Sequence, residues 1–160
     1  MITPVTQENL TAWATMCCEL FPEDNYDECI INWQNGELPH EFIYNENGKP
    51  AAFISLALRH DYVEGTGSSP VGYLEAIYVK PQYRKLGIAR KLVEFAKNWA
   101  REQGCTEFAS DCELHNEESR LFHNSVGFTE ANRIICFTME LDINPLECEY
   151  VIDMIDDHRS

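Results

Sequence analysis

The chain has 160 residues, with 12 Lys plus Arg against 27 Asp plus Glu and a formal net charge of -15. That is about one domain, which at this size buries roughly 68–70% of its unfolded-chain surface, and 44% hydrophobic with 24% charged residues is a globular composition. No apolar run reaches the ~18 residues of a membrane span and the first residues are no basic-then-apolar leader, so a membrane protein, a secreted precursor and a collagen-like fibre are excluded.

In chain order, Met1–Val5 suits a short strand. Thr6 suits an N-cap for a helix whose Leu10, Trp13, Ala14, Cys17 and Leu20 share one stripe, ended by Pro22. Tyr26–Asn35 reads as a second helix with Gly36 at its C′ position. Glu41–Tyr44 and Ala51–Leu58 read as strands joined through Asn47-Gly48. Asp61–Pro70 is a polar loop with turn formers Gly65, Gly67 and Pro70. Val71–Val79 is a strong strand. Gly87–Gln103 is the clearest helix, with Ile88, Leu92, Phe95, Ala96, Trp99 and Ala100 at helical spacing and Gly104 as its stop. Glu107–Asp111 suits a short strand, Glu117–Val126 a helix ending at Gly127, and Phe128–Leu141 is strand-rich, expected to pair on itself or on the sheet. The order β-α-α-β-β-β-α-β-α-β is that of a mixed α/β layered domain.

Charge is distributed unevenly. Seven of the 12 basic residues fall within Lys80–Arg101, while Glu19–Glu28 carries five acids and no base. The acidic surplus repels phosphate, which argues against general nucleic-acid binding, and attracts a polycationic small molecule or basic peptide; solubility alone would also account for it. Seven cysteines, two of them adjacent and none in a CxxC pair, suggest reduced thiols in a cytoplasm and no metal site.

The chemistry concentrates at Leu74–Arg90. A strand runs into Arg84-Lys85-Leu86-Gly87-Ile88-Ala89 and then into a helix. Unpaired N–H groups and the positive end of the helix dipole make an anion site that suits a pyrophosphate. Gly87 allows close backbone approach, and Arg84, Lys85 and Arg90 add charge-assisted bonds. The same spelling would serve an ordinary loop before a solvated basic helix face. The preceding strand and the local concentration of basic charge favour the anion site.

Arg84-x-x-Gly87-x-Ala89 after Ile77-Tyr78-Val79 resembles the acyl-coenzyme A loop of the GCN5-related N-acetyltransferase (GNAT) family, and Asn116 through Leu121 to Val126-Gly127-Phe128 resembles its second conserved region. Arg59-His60-Asp61-Tyr62-Val63, Ser68-Ser69-Pro70-Val71, Leu74-Glu75 and Ala109-Ser110-Asp111 narrow the resemblance to the aminoglycoside 6′-N-acetyltransferases. The resemblance implies an α/β fold with a mixed, mostly antiparallel central sheet and a splayed parallel strand pair, flanked by helices. It spans residues 1–142 as the acetyltransferase domain and leaves 143–160 as an acidic extension whose apolar stripe would dock on the domain or on a second subunit.

The resemblance also implies acetyl-CoA as co-substrate and a homodimer. Main-chain groups of Ile77, Tyr78 and Val79 would hold the pantetheine arm, with the Val79 N–H facing the thioester oxygen. Lys85, Leu86, Gly87, Ile88, Ala89 and Arg90 would hold the pyrophosphate, and Asn116 would bond the cofactor farther along. Glu75 and Asp111 would bind a cationic acceptor and accept its proton, with Tyr62 walling the pocket. Glu75 also suits a solvated strand face, and Asp111 a turn or helix cap. His123 stands where many relatives carry a Tyr that protonates the departing thiolate; an imidazole could do the same, or simply pack in the core. Phe21 stands where similar enzymes carry Trp in the acceptor wall, and Asn132 near a position where some carry an acid. The expected reaction is direct transfer to a primary amine, foremost the 6′-amine of an aminoglycoside. A polyamine or protein amine as acceptor, or a non-catalytic acyl-CoA-binding module, remain as alternatives.

Overall fold

A computed structural model describes residues 1–141, and all structural statements concern those residues. The expected stripe within 143–160 lies outside them. The elements are β1 (Ile2–Pro4), α1 (Leu10–Leu20), α2 (Tyr26–Gln34), β2 (Glu41–Glu46), β3 (Lys49–Arg59), β4 (Val71–Val79), a 3-10 turn (Pro81–Tyr83), α3 (Ile88–Glu102), β5 (Phe108–Ser110) and α4 (Glu117–Ser125). One sheet runs in the order β1-β2-β3-β4-β5. Its first four strands pair antiparallel, and β4 pairs parallel with β5. This is the expected mixed sheet with one parallel pair.

The period of two along β3 sorts its side chains onto two faces. Ala52, Ile54 and Leu56 face α3, where Ile88, Leu92, Ala96 and Ala100 complete one core. Phe53 faces α1, where Leu10, Trp13, Ala14 and Met16 complete the other with Ile43 and Tyr78. The sheet is therefore sandwiched between helices. Leu92 is fully buried, so cutting it to Ala would cost about 2–5 kcal/mol. Gly72 lets β4 meet α3 closely: a Cβ there would lie 2.7 Å from Ala100 Cβ and 2.9 Å from Phe108 Cδ2.

Two expectations are corrected. Thr6 does not cap α1, which begins at Leu10 behind Asn9; the Asn9 side chain instead accepts a bond from the Thr6 N–H. A local turn at 6–9 thus delays the helix by one turn. Phe128–Leu141 forms no strand in the structure, and residues 129–141 are exposed. Its apolar pattern suits a sheet, but it does not pair with β5, whose only partner strand among the described residues is β4. Among the described residues no helix is long and apolar enough to cross a membrane.

Candidate active site

The site begins with a mismatch in length. β4 has nine residues, yet only Gly72, Tyr73 and Leu74 pair with β5, through Phe108, Ala109 and Ser110. Beyond Leu74 the two strands part, and the rest of β4 lines an opening. Neighbouring residues of a strand direct their N–H groups to opposite edges. The Lys80 N–H bonds Ala51 O on the β3 side at 2.9 Å, so the Val79 N–H points to the other edge, into the opening. The same alternation gives the Ile77 N–H that direction and turns the Tyr78 N–H toward β3.

The turn after β4 is shaped for close approach. Arg84 Nε donates to Val79 O at 3.0 Å, which folds the basic loop back against the strand end. Lys85 adopts φ +63° and Gly87 φ +75°, both left-handed. Leu86 between them is exposed. Gly87 is the N-cap of α3, and its O accepts the first helical bond from the Lys91 N–H. The N–H groups of Ile88, Ala89 and Arg90 thus lie in the first turn, where a helix offers unpaired donors and positive dipole. The Arg90 side chain is committed elsewhere: its guanidinium donates to Ser125 O at 2.8 Å, joining α3 to the end of α4.

The acceptor end is a chain of side chains. At the point where β4 passes Ser55 and Leu56, the register steps from Ser55↔Ala76 to Leu56↔Leu74, so Glu75 is the extra residue of a bulge. A bulge bends its strand and re-aims a side chain. Glu75 reaches the Arg59 guanidinium at 2.8 Å, with both side chains 41% exposed. Arg59 also lies over the Tyr73 ring, 3.4 Å from its centroid. Ala57 opposes Tyr73 in the ladder, which makes Arg59 and Tyr73 diagonal neighbours on one face. The Tyr73 hydroxyl in turn donates to the Asp111 carboxylate at the tip of β5. Burial, and then that bond to Asp111, push the Tyr73 phenol well above its usual range, so it stays a donor. Glu75 and Asp111 are thereby joined through Arg59 and Tyr73.

The remaining candidates are placed as follows. Tyr62 is exposed, and its hydroxyl bonds Glu64 Oε2 at 2.5 Å; Asn132 donates to Glu64 Oε1 at 2.8 Å. These two meet through Glu64, and the two bonds hold its carboxyl below the usual range. The loop is pinned to the start of β5 by Glu107, which accepts from the N–H groups of Gly67 and Ser68 and from the Ser68 hydroxyl. His123 sits between α4 and β5, its ring edge-on to Phe128. Nδ1 lies 2.7 Å from Ser119 O, and Nε2 lies 2.9 Å from Ser110 Oγ, whose hydroxyl donates to Leu74 O. Asn116 caps α4 by accepting from the Ser119 N–H at 3.0 Å. Phe21 follows the end of α1 and is partly exposed.

Sequence reasoning did not give roles to Arg59, Tyr73, Glu64 or Ser110. Arg59, the cation that follows the mostly apolar run Ala51–Leu58, carried a signal; the others acquire their roles only from pairing register and loop path.

Comparison with known proteins fits this geometry. The family model described as acetyltransferase (GNAT) family matches residues 7–128. An aminoglycoside N(6')-acetyltransferase type 1 of Acinetobacter baumannii is 35% identical over 139 residues, 85% of this chain and 95% of its own. One from Salmonella typhimurium is 40% identical over 139 residues, 85% and 96% of the two chains. The crystal structure of an aminoglycoside antibiotic 6'-N-acetyltransferase from Acinetobacter haemolyticus, in its apo form, superposes with a TM-score of 0.83 at 32% identity, over 89% of this chain and 99% of that one. A second, AAC(6')-Iy in complex with the bisubstrate analogue CoA-S-monomethyl-acetylneamine, superposes with a TM-score of 0.82 at 31% identity, over 88% and 98%.

Proposed function

The chain belongs to the acetyltransferase (GNAT) family, and we propose that it transfers the acetyl group of acetyl-CoA to the 6′-amine of aminoglycosides, conferring resistance to them. The observation that carries this reading is the opening between β4 and β5: a donor-rich turn at one end, and two carboxylates at the other. Relatives so named are 35–40% identical over most of the chain.

In this reading Ile77 and Val79 offer main-chain groups to the pantetheine arm, and the turn from Lys85 to Arg90 holds the pyrophosphate. Asn116, whose Oδ1 caps α4, has its amide NH2 left to bond the cofactor farther along. The Val79 N–H is aimed at the thioester oxygen, where negative charge develops during attack. Glu75 and Asp111 hold the ammonium groups of the acceptor, and one of them takes the proton of the attacking amine, directly or through water. Tyr62, Asn132 and Phe21 flank the acceptor. His123 is the candidate donor to the departing thiolate. Its Nε2 would leave Ser110 to act, and a thiolate also leaves unaided. Direct attack of the amine needs neither a metal nor a covalent enzyme intermediate.

The acetyltransferase domain spans 1–142 in this proposal, with 143–160 as an acidic extension. The protein works as a homodimer in a reducing cytoplasm in this proposal; seven cysteines, two of them adjacent and none in a CxxC pair, suit reduced thiols. The deciding experiment follows acetyl-CoA consumption with kanamycin, tobramycin, spermidine and basic peptides, and locates the acetylated nitrogen by NMR. Turnover of the aminoglycosides at N6′ is expected; preference for spermidine or a peptide would move the acceptor, and coenzyme binding without turnover would remove the enzyme.

A further inference from the structure

One buried carboxyl has no part in the site described above. Glu41, the first residue of β2, is 5% exposed. Its Oε2 accepts from the indole Nε1 of Trp13 on α1 at 2.9 Å and from the hydroxyl of Ser55 on β3. Trp13 and Ser55 lie at 2% and 9% exposure, so all three groups are shut away from water. A carboxyl is costly to bury. Chains depart from an apolar core chiefly where function requires it.

The carboxyl stands where the sheet changes register. Glu41 opposes Ser55 across the β2–β3 ladder. Ser55 opposes Ala76, and the next residue, Leu56, opposes Leu74. Leu74 packs in the core with α3, while Ala76 packs in the core with α1. Regular alternation would put both on one face. The residue inserted between them, Glu75, is what changes the face. On β3, Ser55, Ala57 and Arg59 share a face by the same alternation. One face of one strand therefore carries both the hydroxyl that bonds Glu41 and the guanidinium that meets Glu75. The main chain is tied at the same place. The Leu56 N–H donates to His40 O at 3.0 Å, and the Val5 N–H to Glu41 O at 2.9 Å.

We propose that Glu41 is a positioning residue: anchored by Trp13, it holds Ser55 at the register step and so fixes the bulge that aims Glu75 at the acceptor. This rests on the aminoglycoside reading above, which gives Glu75 its task, and adds how its aim is kept. The extra residue of a bulge has no ladder partner, so its direction depends on how firmly the opposite strand is held. Ser55 is the ladder residue beside it. An apolar side chain at position 41 would leave both the Trp13 N–H and the Ser55 hydroxyl buried and unpaired.

The test compares Glu41→Leu, Ser55→Ala and Glu41→Gln, the last keeping an oxygen for both donors. Two readouts are taken on the full chain. The first needs no turnover: the Nε–H resonance of Arg59, whose Nε and Nη2 both reach Glu75 Oε1. In Glu41→Leu and Ser55→Ala it should move toward its position in Glu75→Ala, and in Glu41→Gln it should stay at the parent position. The second is steady-state kinetics. Misplacing a positioned group by 1 Å costs up to ~100-fold. Glu41→Leu and Ser55→Ala should lower kcat/KM for an aminoglycoside about tenfold or more, with the KM for acetyl-CoA within about twofold of the parent. Glu41→Gln should restore most of the loss. With Glu75→Ala already present, Ser55→Ala should change kcat/KM less than about twofold, because the group it positions is gone. Where Glu41→Leu does not fold, Ser55→Ala, which deletes one hydroxyl, gives the answer alone. An Arg59 resonance that stays put in Ser55→Ala would overturn the positioning role, and so would a kinetic loss that persists in full beside Glu75→Ala. A parent protein that turns over no aminoglycoside would overturn the function proposed above, and the resonance would still decide whether Glu41 holds the bulge.

Discussion

The two ends of the β4–β5 opening are made of different material. The turn from Val79 to Arg90 works through main chain: an N–H aimed off the edge of β4, two left-handed residues, and the first turn of α3. The tip formed by Glu75, Arg59, Tyr73 and Asp111 works through side chains brought from three strands. Among single substitutions only proline deletes a main-chain donor, so that end should tolerate other variation except where backbone shape is at stake. The side-chain end should be sensitive to each carboxylate, and to pH.

The sharpest way to break this contrast is Asp111→Asn, which keeps the bond from Tyr73 and removes the charge. We expect kcat/KM for an aminoglycoside to fall about 100-fold or more, the lower range for a lost acid–base group, with the KM for acetyl-CoA unchanged. Steady-state kinetics with each substrate varied would show it; a change confined to acetyl-CoA would contradict the division of labour.

The scaffold behind the acceptor end has its own pH response. Glu41 is buried, accepting from Trp13 Nε1 at 2.9 Å and from the Ser55 hydroxyl, one ladder position from the Glu75 bulge. Burial pushes its carboxyl up from 4.5 to about 7. The folded state then holds that proton more tightly than the unfolded chain. Its contribution to stability is complete below pH ~4.5 and is lost as pH rises through about 7, by roughly 3 kcal/mol in all. Urea unfolding from pH 5 to pH 8 should show Glu41→Gln losing less stability than the parent protein by an amount of this order. Parallel profiles would mean that Glu41 is ionised throughout.

At the other end, Gly87→Val tests backbone shape alone. An added Cβ meets nothing within 4 Å, but φ is +75°, so the cost is left-handed strain on the order of 1–3 kcal/mol. If the turn relaxes to avoid it, calorimetry should find coenzyme A binding about tenfold weaker while the acceptor KM stays put. Weaker acceptor binding of the same size would show that the two ends are not separate.

The smallest effect is expected from Arg59→Ala. The Arg59–Glu75 pair is half exposed and so worth about 0–1 kcal/mol. If Arg59 occupies Glu75 until a cationic acceptor replaces it, removing it should lower the acceptor KM by up to about fivefold. A higher KM would make Arg59 a support for Tyr73 instead.

How much of this was legible in the residues follows from range. The helix face of Leu92, Ala96 and Ala100, the strand through Ala51–Leu58 and the glycine turn at Gly87 are local patterns, and each appears in the structure where its residues place it. The mixed sheet was legible only through family resemblance, because strand order is not a local property. Glu75 and Asp111 were legible as candidates, but not their connection. The bulge that turns Glu75 out depends on how β4 registers against β3, and the Tyr73 link depends on a parallel pairing across 38 residues of chain.

By itself, then, the sequence determined the helices, the principal strands, the donor-rich turn and the surplus of acid. These follow from side-chain period, backbone freedom at glycine and charge, all settled within a few residues. Only the tertiary structure decided that β4 and β5 part after Leu74, that Arg90 is spent on Ser125, and that residues 133–141, written like a strand, are exposed and form none. A strand needs an edge to pair with, and which edge it meets is fixed by where the rest of the chain has already been placed.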